Sequence, residues 1–158
     1  MSDVVTLRPI GTVVGGRKEA TDDDWDNIEV VIALDPAQFS PEATAGLGDF
    51  SHIEVVFHFN RVSADEINTG ARHPRGRRDW PLVGIFAQRG KARPNRVGVT
   101  VCRLLSANGL TLLVRGLDAI DGTPVLDIKP VMKGFLPRGE VREPEWAEEL
   151  MRGYWRAG

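Results

Sequence analysis

A small, mainly all-β barrel of about seven strands with one or two short helices is the fold this sequence predicts. Three observations carry that expectation. Short runs rich in Val, Ile, Leu and Phe recur between turn signals, several of them alternate at the two-residue period of a strand, and helix-length apolar stripes are scarce. The chain's 158 residues match one domain built on one core. The expected boundaries are 1–158 for the domain, about 7–132 for its core and about 143–156 for a helical tail.

Taken in order, the first strand is expected over Leu7 to Val14 and the second over Ile28 to Leu34. Between them stands Asp22-Asp23-Asp24-Trp25-Asp26. An aromatic plane among carboxylates suits stacking on a base or attracting a cation, and the same run also reads as a solvated loop. Ser40-Pro41-Glu42 supplies a cap residue and a proline at the first helical position, so about one turn of helix is expected before Gly46. His52 to Asn60 reads as the third strand. Asn68 to Pro81 has no hydrophobic period, is punctuated by Gly70, Pro74, Gly76 and Pro81, and holds Arg72, Arg75, Arg77 and Arg78. It is expected to be a loop, and structureless connections of this length are usually functional or mobile.

The fourth run, Leu82 to Ala87, opens into the basic loop Gly84 to Gly98, where Arg89, Lys91, Arg93 and Arg96 stand among glycines and Pro94-Asn95. The fifth strand is expected over Val97 to Leu105 and the sixth over Leu110 to Val114, with Leu110, Leu112 and Val114 on one side. Asp118 to Pro130 then sets three carboxylates around a Gly-Thr-Pro turn, and its end, Val125 to Ile128, is the seventh strand. In that segment the Asp121-Gly122 turn offers the Thr123 hydroxyl and backbone amides to a ligand, while Asp118 and Asp121 also serve as ordinary turn residues. A helix starting at Pro144 places Trp146, Leu150 and Tyr154 on one face. It is expected to seal a barrel end, with its aromatics as core anchors.

Charge is strongly segregated behind a net of −2. Residues 1–66 hold 13 acids and 4 bases, residues 67–117 hold 1 acid and 10 bases, and residues 118–158 hold 8 acids and 6 bases. A basic block inside a near-neutral chain suggests a localised anion site, or else acidic and basic blocks that pair across the fold. The longest apolar stretches fall far below the roughly 20 residues of a membrane-spanning helix, and the N-terminus has no secretory pattern. A lone Cys102 excludes an internal disulfide and fits a reducing compartment, so a cytoplasmic location is expected, with no membrane partner.

Several chemistries have no signature here. His52 and His58 share strand parity with Glu54 without any metal-ligand spacing, so no metal is expected. There is no GxSxG, and Cys102 lies inside an apolar strand, which argues against a covalent nucleophile. Neither GxGxxG nor a P-loop occurs, so a nucleotide-like ligand has to be held by other means.

Four blocks of residues resemble the TsaA-like family, also called YaeB-like or VirR-like. They are Pro9-Ile10-Gly11; Asp49-Phe50-Ser51-His52; Phe86-Ala87-Gln88-Arg89 with Arg93-Pro94-Asn95-Arg96-Val97-Gly98; and Gly116-Leu117-Asp118 with Asp121 through Pro130. The likeness spans roughly residues 7–132. Members of that family include a methyltransferase acting on N6-threonylcarbamoyladenosine in tRNA. The resemblance implies a β-barrel that binds S-adenosylmethionine without a Rossmann fold, commonly as a homodimer, and a tRNA substrate modified at an adenosine-derived base.

By the same resemblance Arg89, Asp121, Gly122, Thr123 and Pro124 line the cofactor pocket, with Asn60, Arg61 and Trp25 nearby and Arg89 meeting the cofactor carboxylate. Arg72, Arg75, Arg77, Arg78, Lys91 and Arg93 are left to contact substrate phosphates. The chain departs from the family pattern at Gln88, Gly90 and Arg96, where Thr, Ser and Pro are usual, and at Asn60, where His is common. It is not expected to carry the extra C-terminal domain of some tRNA-modifying members. Methyl transfer from a sulfonium is an in-line displacement that requires positioning and no metal; no residue is assigned as the base. Two rival readings remain at this point: a cofactor-binding module or small-molecule methyltransferase that does not act on RNA, and a purely structural barrel.

Overall fold

The structure, a computed structural model, describes residues 3–156. Its described strands are β1 (Gly11–Val14), β2 (Glu29–Leu34), β3 (His52–His58), β4 (Ala71–Arg72), β5 (Val83–Gly84), β6 (Val97–Asn108), β7 (Thr111–Arg115) and β8 (Pro124–Pro130). Six of them close an antiparallel barrel in the order β1-β2-β7-β6-β3-β8. Alternation on each strand decides what faces inward. Val13, Ile32, Ile53, Val55, Leu112, Val114 and Val125 are fully enclosed, with Phe57 packed edge-on against Phe59 at 5.3 Å between ring centres.

Two irregularities bend this sheet into a barrel. The β3–β8 register slips between Val56 and Phe57, so that Val56 faces Asp127 while Phe57 faces Val125. The β6–β7 register slips between Leu104 and Ser106. Each slip leaves one residue out of the ladder and sharpens the local twist, which lets the 12-residue β6 serve two neighbours.

The strand expected over Leu82 to Ala87 is corrected by the structure. Only Val83–Gly84 is extended, as one arm of a two-stranded ribbon with Ala71–Arg72, and Ile85–Ala87 turns into a short 3-10 segment. Asn68 to Pro81 is likewise a structured flap. Gln88 is buried and its side-chain amide donates to the Arg72 and Val83 carbonyls, both at 3.0 Å, so that one residue stitches the two arms of the ribbon together. Trp80 is buried under the flap, His73 Nδ1 lies 2.8 Å from the Trp80 carbonyl, and the Trp80 indole donates to Glu149 at 2.9 Å.

The helix near the C-terminus is α1 (Glu145–Met151), shorter than its apolar stripe suggests. Tyr154 follows it in a turn, its N–H donating to the Met151 carbonyl, so the stripe breaks before its third member. Trp146 and Tyr154 are half-buried, and the segment's hydrogen bonds run to the flap and to the acidic loop. The element therefore braces loops beside the barrel, which corrects its expected role as a plug.

Gly98 pairs with Phe57 across β6 and β3, and a Cβ there would stand 2.7 Å from the Phe57 ring and 2.8 Å from Phe59. Gly98→Ala is expected to cost about 1–3 kcal/mol as the edge-on Phe57–Phe59 pair is pushed off its rotamers. A urea titration checks this: the midpoint falls while the slope is unchanged.

Candidate functional site

Loops from several parts of the chain are tied to one another beside the seam where β1 pairs with β8, while the basic loop is tied to β6. The first is the segment after β1. Gly15 N–H donates to Asp121 Oδ1 at 2.8 Å, and the Arg17 carbonyl accepts from the Asp121 N–H at 2.8 Å. The Arg17 guanidinium then folds forward over its own loop. It donates to the Asp23 and Asp24 carbonyls at 2.8 and 2.7 Å and lies 4.4 Å from the centre of the Trp25 ring. Arg17 thus fixes the Trp25 loop against the Asp121 turn.

Trp25 is 3% exposed, and its indole N–H is buried without a hydrogen-bond partner. An orphan buried donor is costly, so the group stands ready for an acceptor. From the other side, Arg61 donates to the Lys18 carbonyl at 2.6 Å, and Arg75 pairs with Asp23 at 3.1 Å. Asn60 is exposed immediately before Arg61.

The Asp121 to Pro124 turn differs from its expected role. The Thr123 hydroxyl donates to the Ile120 carbonyl at 2.7 Å and the side chain is buried. The amides of Asp121, Gly122 and Thr123 are bonded to the carbonyls of Arg17, Val13 and Ile120. Gly122 has φ 86°, which favours glycine, and Pro124 begins β8. The turn is a structural clasp across the seam. What it leaves for a ligand is the second oxygen of Asp121.

The basic loop contributes Arg89, an exposed side chain anchored by one bond of 2.7 Å to the Val99 carbonyl. Its neighbour in β6, Thr100, donates to Asp118 Oδ1, and the Tyr154 hydroxyl donates to Asp118 Oδ2. Burial and the Asp118 carboxylate push the Tyr154 phenol well above its ordinary range, while Arg89 and Arg75 act in the opposite sense. Trp25, Arg75, Arg89 and Asp118 therefore gather about Tyr154. The Trp25 backbone N–H also donates to the Tyr154 carbonyl at 2.9 Å.

The six cations assigned to phosphates divide into two groups. Arg75 is paired with Asp23, Arg77 with Asp79 while stacked 3.9 Å from the Trp80 ring centre, and Arg93 with the Gln88 carbonyl at 2.7 Å. Arg72, Arg78 and Lys91 form no ion pair among the described residues. Burial and the neighbouring Asp118 push the Cys102 thiol up to about 12, which removes its nucleophilic form at neutral pH. No group of three metal-ligating side chains lies together among the described residues.

Arg17, Thr100 and Tyr154 belong to this constellation and were not legible as such. Arg17 acts through backbone carbonyls, which leave no pattern in a sequence, and Tyr154 was absorbed into the apolar stripe of α1.

Residues 22–135 match the family model described as the tRNA-methyltransferase O N-terminal domain. A probable S-adenosyl-L-methionine-binding protein of Pyrococcus abyssi is 35% identical over 146 residues, 89% of this chain and 73% of that one. The tRNA (adenine(37)-N6)-methyltransferase of Mus musculus is 37% identical over 90 residues, 57% of this chain and 20% of that one. Among solved structures, TrmO from Pseudomonas aeruginosa superposes with a TM-score of 0.74 at 26% identity, covering 92% of this chain and 63% of that one. The chain thus spans about a fifth of the mouse enzyme and under two thirds of the solved bacterial one.

Proposed function

This chain belongs to the tRNA-methyltransferase O N-terminal domain family, and on that premise we propose that it is an S-adenosylmethionine-dependent methyltransferase acting on an adenosine-derived base of tRNA. The observation that supports the reading is a set of polar groups with bonding capacity to spare on neighbouring loops: the buried, orphan Trp25 indole N–H, the remaining nitrogens of Arg89, which is tied to β6, and the second oxygen of Asp121 at the seam. These fit the cofactor. A guanidinium matches its carboxylate, a carboxylate oxygen matches its ammonium or ribose hydroxyls, and an indole N–H matches an acceptor edge.

When bound, the cofactor supplies a methyl group on a positively charged sulfur. In this reading Arg89 and Asp121 hold its two ends, with Asn60 and Arg61 flanking them. Trp25, fixed and covered by Arg17, excludes water and holds its indole N–H without a protein partner. Holding donor and acceptor in line at about 3–3.5 Å supplies most of the rate without a covalent step. Arg72, Arg78 and Lys91, which form no ion pair among the described residues, form the lip that meets tRNA phosphates. A tRNA substrate and one buried thiol fit a cytoplasmic site of action. No helix of the described residues is long and apolar enough to cross a membrane.

We also read the working form as a homodimer. Leu82, Phe86, Phe135 and Leu136 are 61%, 79%, 88% and 52% exposed, and a second copy of the chain would cover such side chains.

Three outcomes test these readings. S-adenosylmethionine at 100 times its Kd should stabilise the protein by about 2.7 kcal/mol, and Arg89→Ala should abolish the accompanying rise in Tm; no rise in the wild type removes the cofactor from the proposal. Methyl label should appear in bulk tRNA, and Arg78→Ala or Lys91→Ala should each flatten the salt dependence of tRNA binding by about one unit of log–log slope with folding intact; unlabelled tRNA with bound cofactor favours a methyltransferase of small molecules. Sedimentation equilibrium at micromolar concentration should give twice the mass of one chain, and Phe86→Asp should halve it; a wild-type monomer excludes the dimer.

A further inference from the structure

We propose that Tyr154 is a positioning residue of this site, whose hydroxyl occupies Asp118 and so keeps that carboxylate off Arg89, leaving the guanidinium open to an anionic group of the ligand. The inference rests on the reading above in which Arg89 faces the cofactor carboxylate.

Asp118 and Arg89 are anchored to adjacent residues of β6: Asp118 accepts the Thr100 hydroxyl, and Arg89 donates to the Val99 carbonyl at 2.7 Å. Both act on the Tyr154 phenol, Asp118 raising and Arg89 lowering its tendency to hold a proton. A carboxylate with a free oxygen near a guanidinium makes a charge-assisted pair, often bidentate. Here that pair does not form. One oxygen of Asp118 is held by Thr100 and the other by Tyr154, and Arg89 turns to a backbone carbonyl instead.

Tyr154 lies beyond residues 22–135, the span that matches the family model. Its place is well determined from both sides. The Asp24 and Trp25 amides donate to the Gly153 and Tyr154 carbonyls at 3.1 and 2.9 Å. A Cβ on Gly153 would stand 3.5 Å from the Asp23 carboxylate, so the tail lies flush on the acidic loop. The Trp155 ring packs edge-on against the Tyr154 ring at 4.8 Å. Removing the hydroxyl alone leaves all of these contacts. It also leaves a half-buried carboxylate oxygen without that donor, and Arg89, anchored to the residue next to Thr100, has nitrogens to spare for it.

The test is calorimetric binding of S-adenosylmethionine to the full chain and to Tyr154→Phe, Asp118→Asn and the double variant. Tyr154→Phe should bind about tenfold more weakly and raise the cofactor KM, with kcat at saturating cofactor within about twofold of wild type. The double variant should regain most of the lost affinity, because a neutral amide no longer competes for Arg89. A role limited to holding the fold together predicts the opposite, a deeper loss in the double variant. That result, or unaltered affinity in Tyr154→Phe, overturns the inference while leaving the parent reading intact. A wild-type chain that binds no S-adenosylmethionine overturns both.

Discussion

Closure of the barrel between β1 and β8 is the constraint on which everything else rests. It is a short seam: Gly11 faces Val125 and Thr12 faces Pro124, extended by hydrogen bonds from Ile10 to Val125 and from Val13 to Thr123. β1 has only four residues to serve two neighbours, and Gly11 allows the close approach on the β2 side. A Cβ there would stand 2.5 Å from the Ala33 carbonyl. Because the seam is short, the Asp121 turn is drawn into it, its amides bonded to β1 and to Arg17. The same demand explains why the turn's backbone is unavailable to a ligand. In the proposed reading recognition falls to side chains instead, to Arg89 and the remaining oxygen of Asp121, with the Trp25 indole N–H buried and unpartnered.

Charge segregation along the chain is in part answered by pairing across the fold. Three of the described ion pairs join the acidic first block to the basic middle block: Asp23 with Arg75, Asp26 with Arg103, and Glu29 with Arg115. Exposed pairs of this kind contribute little to stability, typically below about 1 kcal/mol. Their effect is on placement. They pin the acidic loop beside the basic flap and use up cations that would otherwise add to the field of the site. What remains positive is the subset without carboxylate partners, and a smaller set of free cations sharpens a local anion site without coating the surface.

Much of the barrel was legible because strand burial follows a two-residue period. In Leu110 to Val114 and in His52 to His58 the enclosed side chains fall on one parity, and the register follows from it. The flap was not legible. Its order comes from Gln88, His73 and Trp80, each of which bonds groups far away in sequence, and no local period records such contacts. Leu82 to Ala87 is apolar enough to read as a strand, yet Leu82 and Phe86 point to solvent and only two residues find a partner. The basic loop and the aspartate turn were legible as the segments from which the proposed site is drawn. The roles inside it were not: Thr123 and the turn amides face inward, whereas Tyr154, which looked like a core anchor, sits among the charges.

Gln88 shows how a departure from the family pattern can carry structure. A threonine at this position has one hydroxyl proton and therefore one donor; the glutamine amide has two, on a longer arm. With both donated, to Arg72 and Val83, the two arms of the ribbon are held at one spacing and the intervening arginines are presented from a fixed base. Arg93 then closes back on the Gln88 carbonyl, and Asn68 on the Ala92 carbonyl, so the basic loop and the flap form one unit. A small barrel without a glycine-rich helix N-terminus has no ready-made anion cradle. In the proposed site that task would fall to loops that are individually short of internal structure and are fixed by side-chain bonds to carbonyls. Arg17 holds the acidic loop, Gln88 the flap, and Tyr154 joins the acidic loop to Asp118. Rigidity of that kind lowers the ordering cost a ligand has to meet, which is why groups that never touch a ligand can govern how tightly it is held.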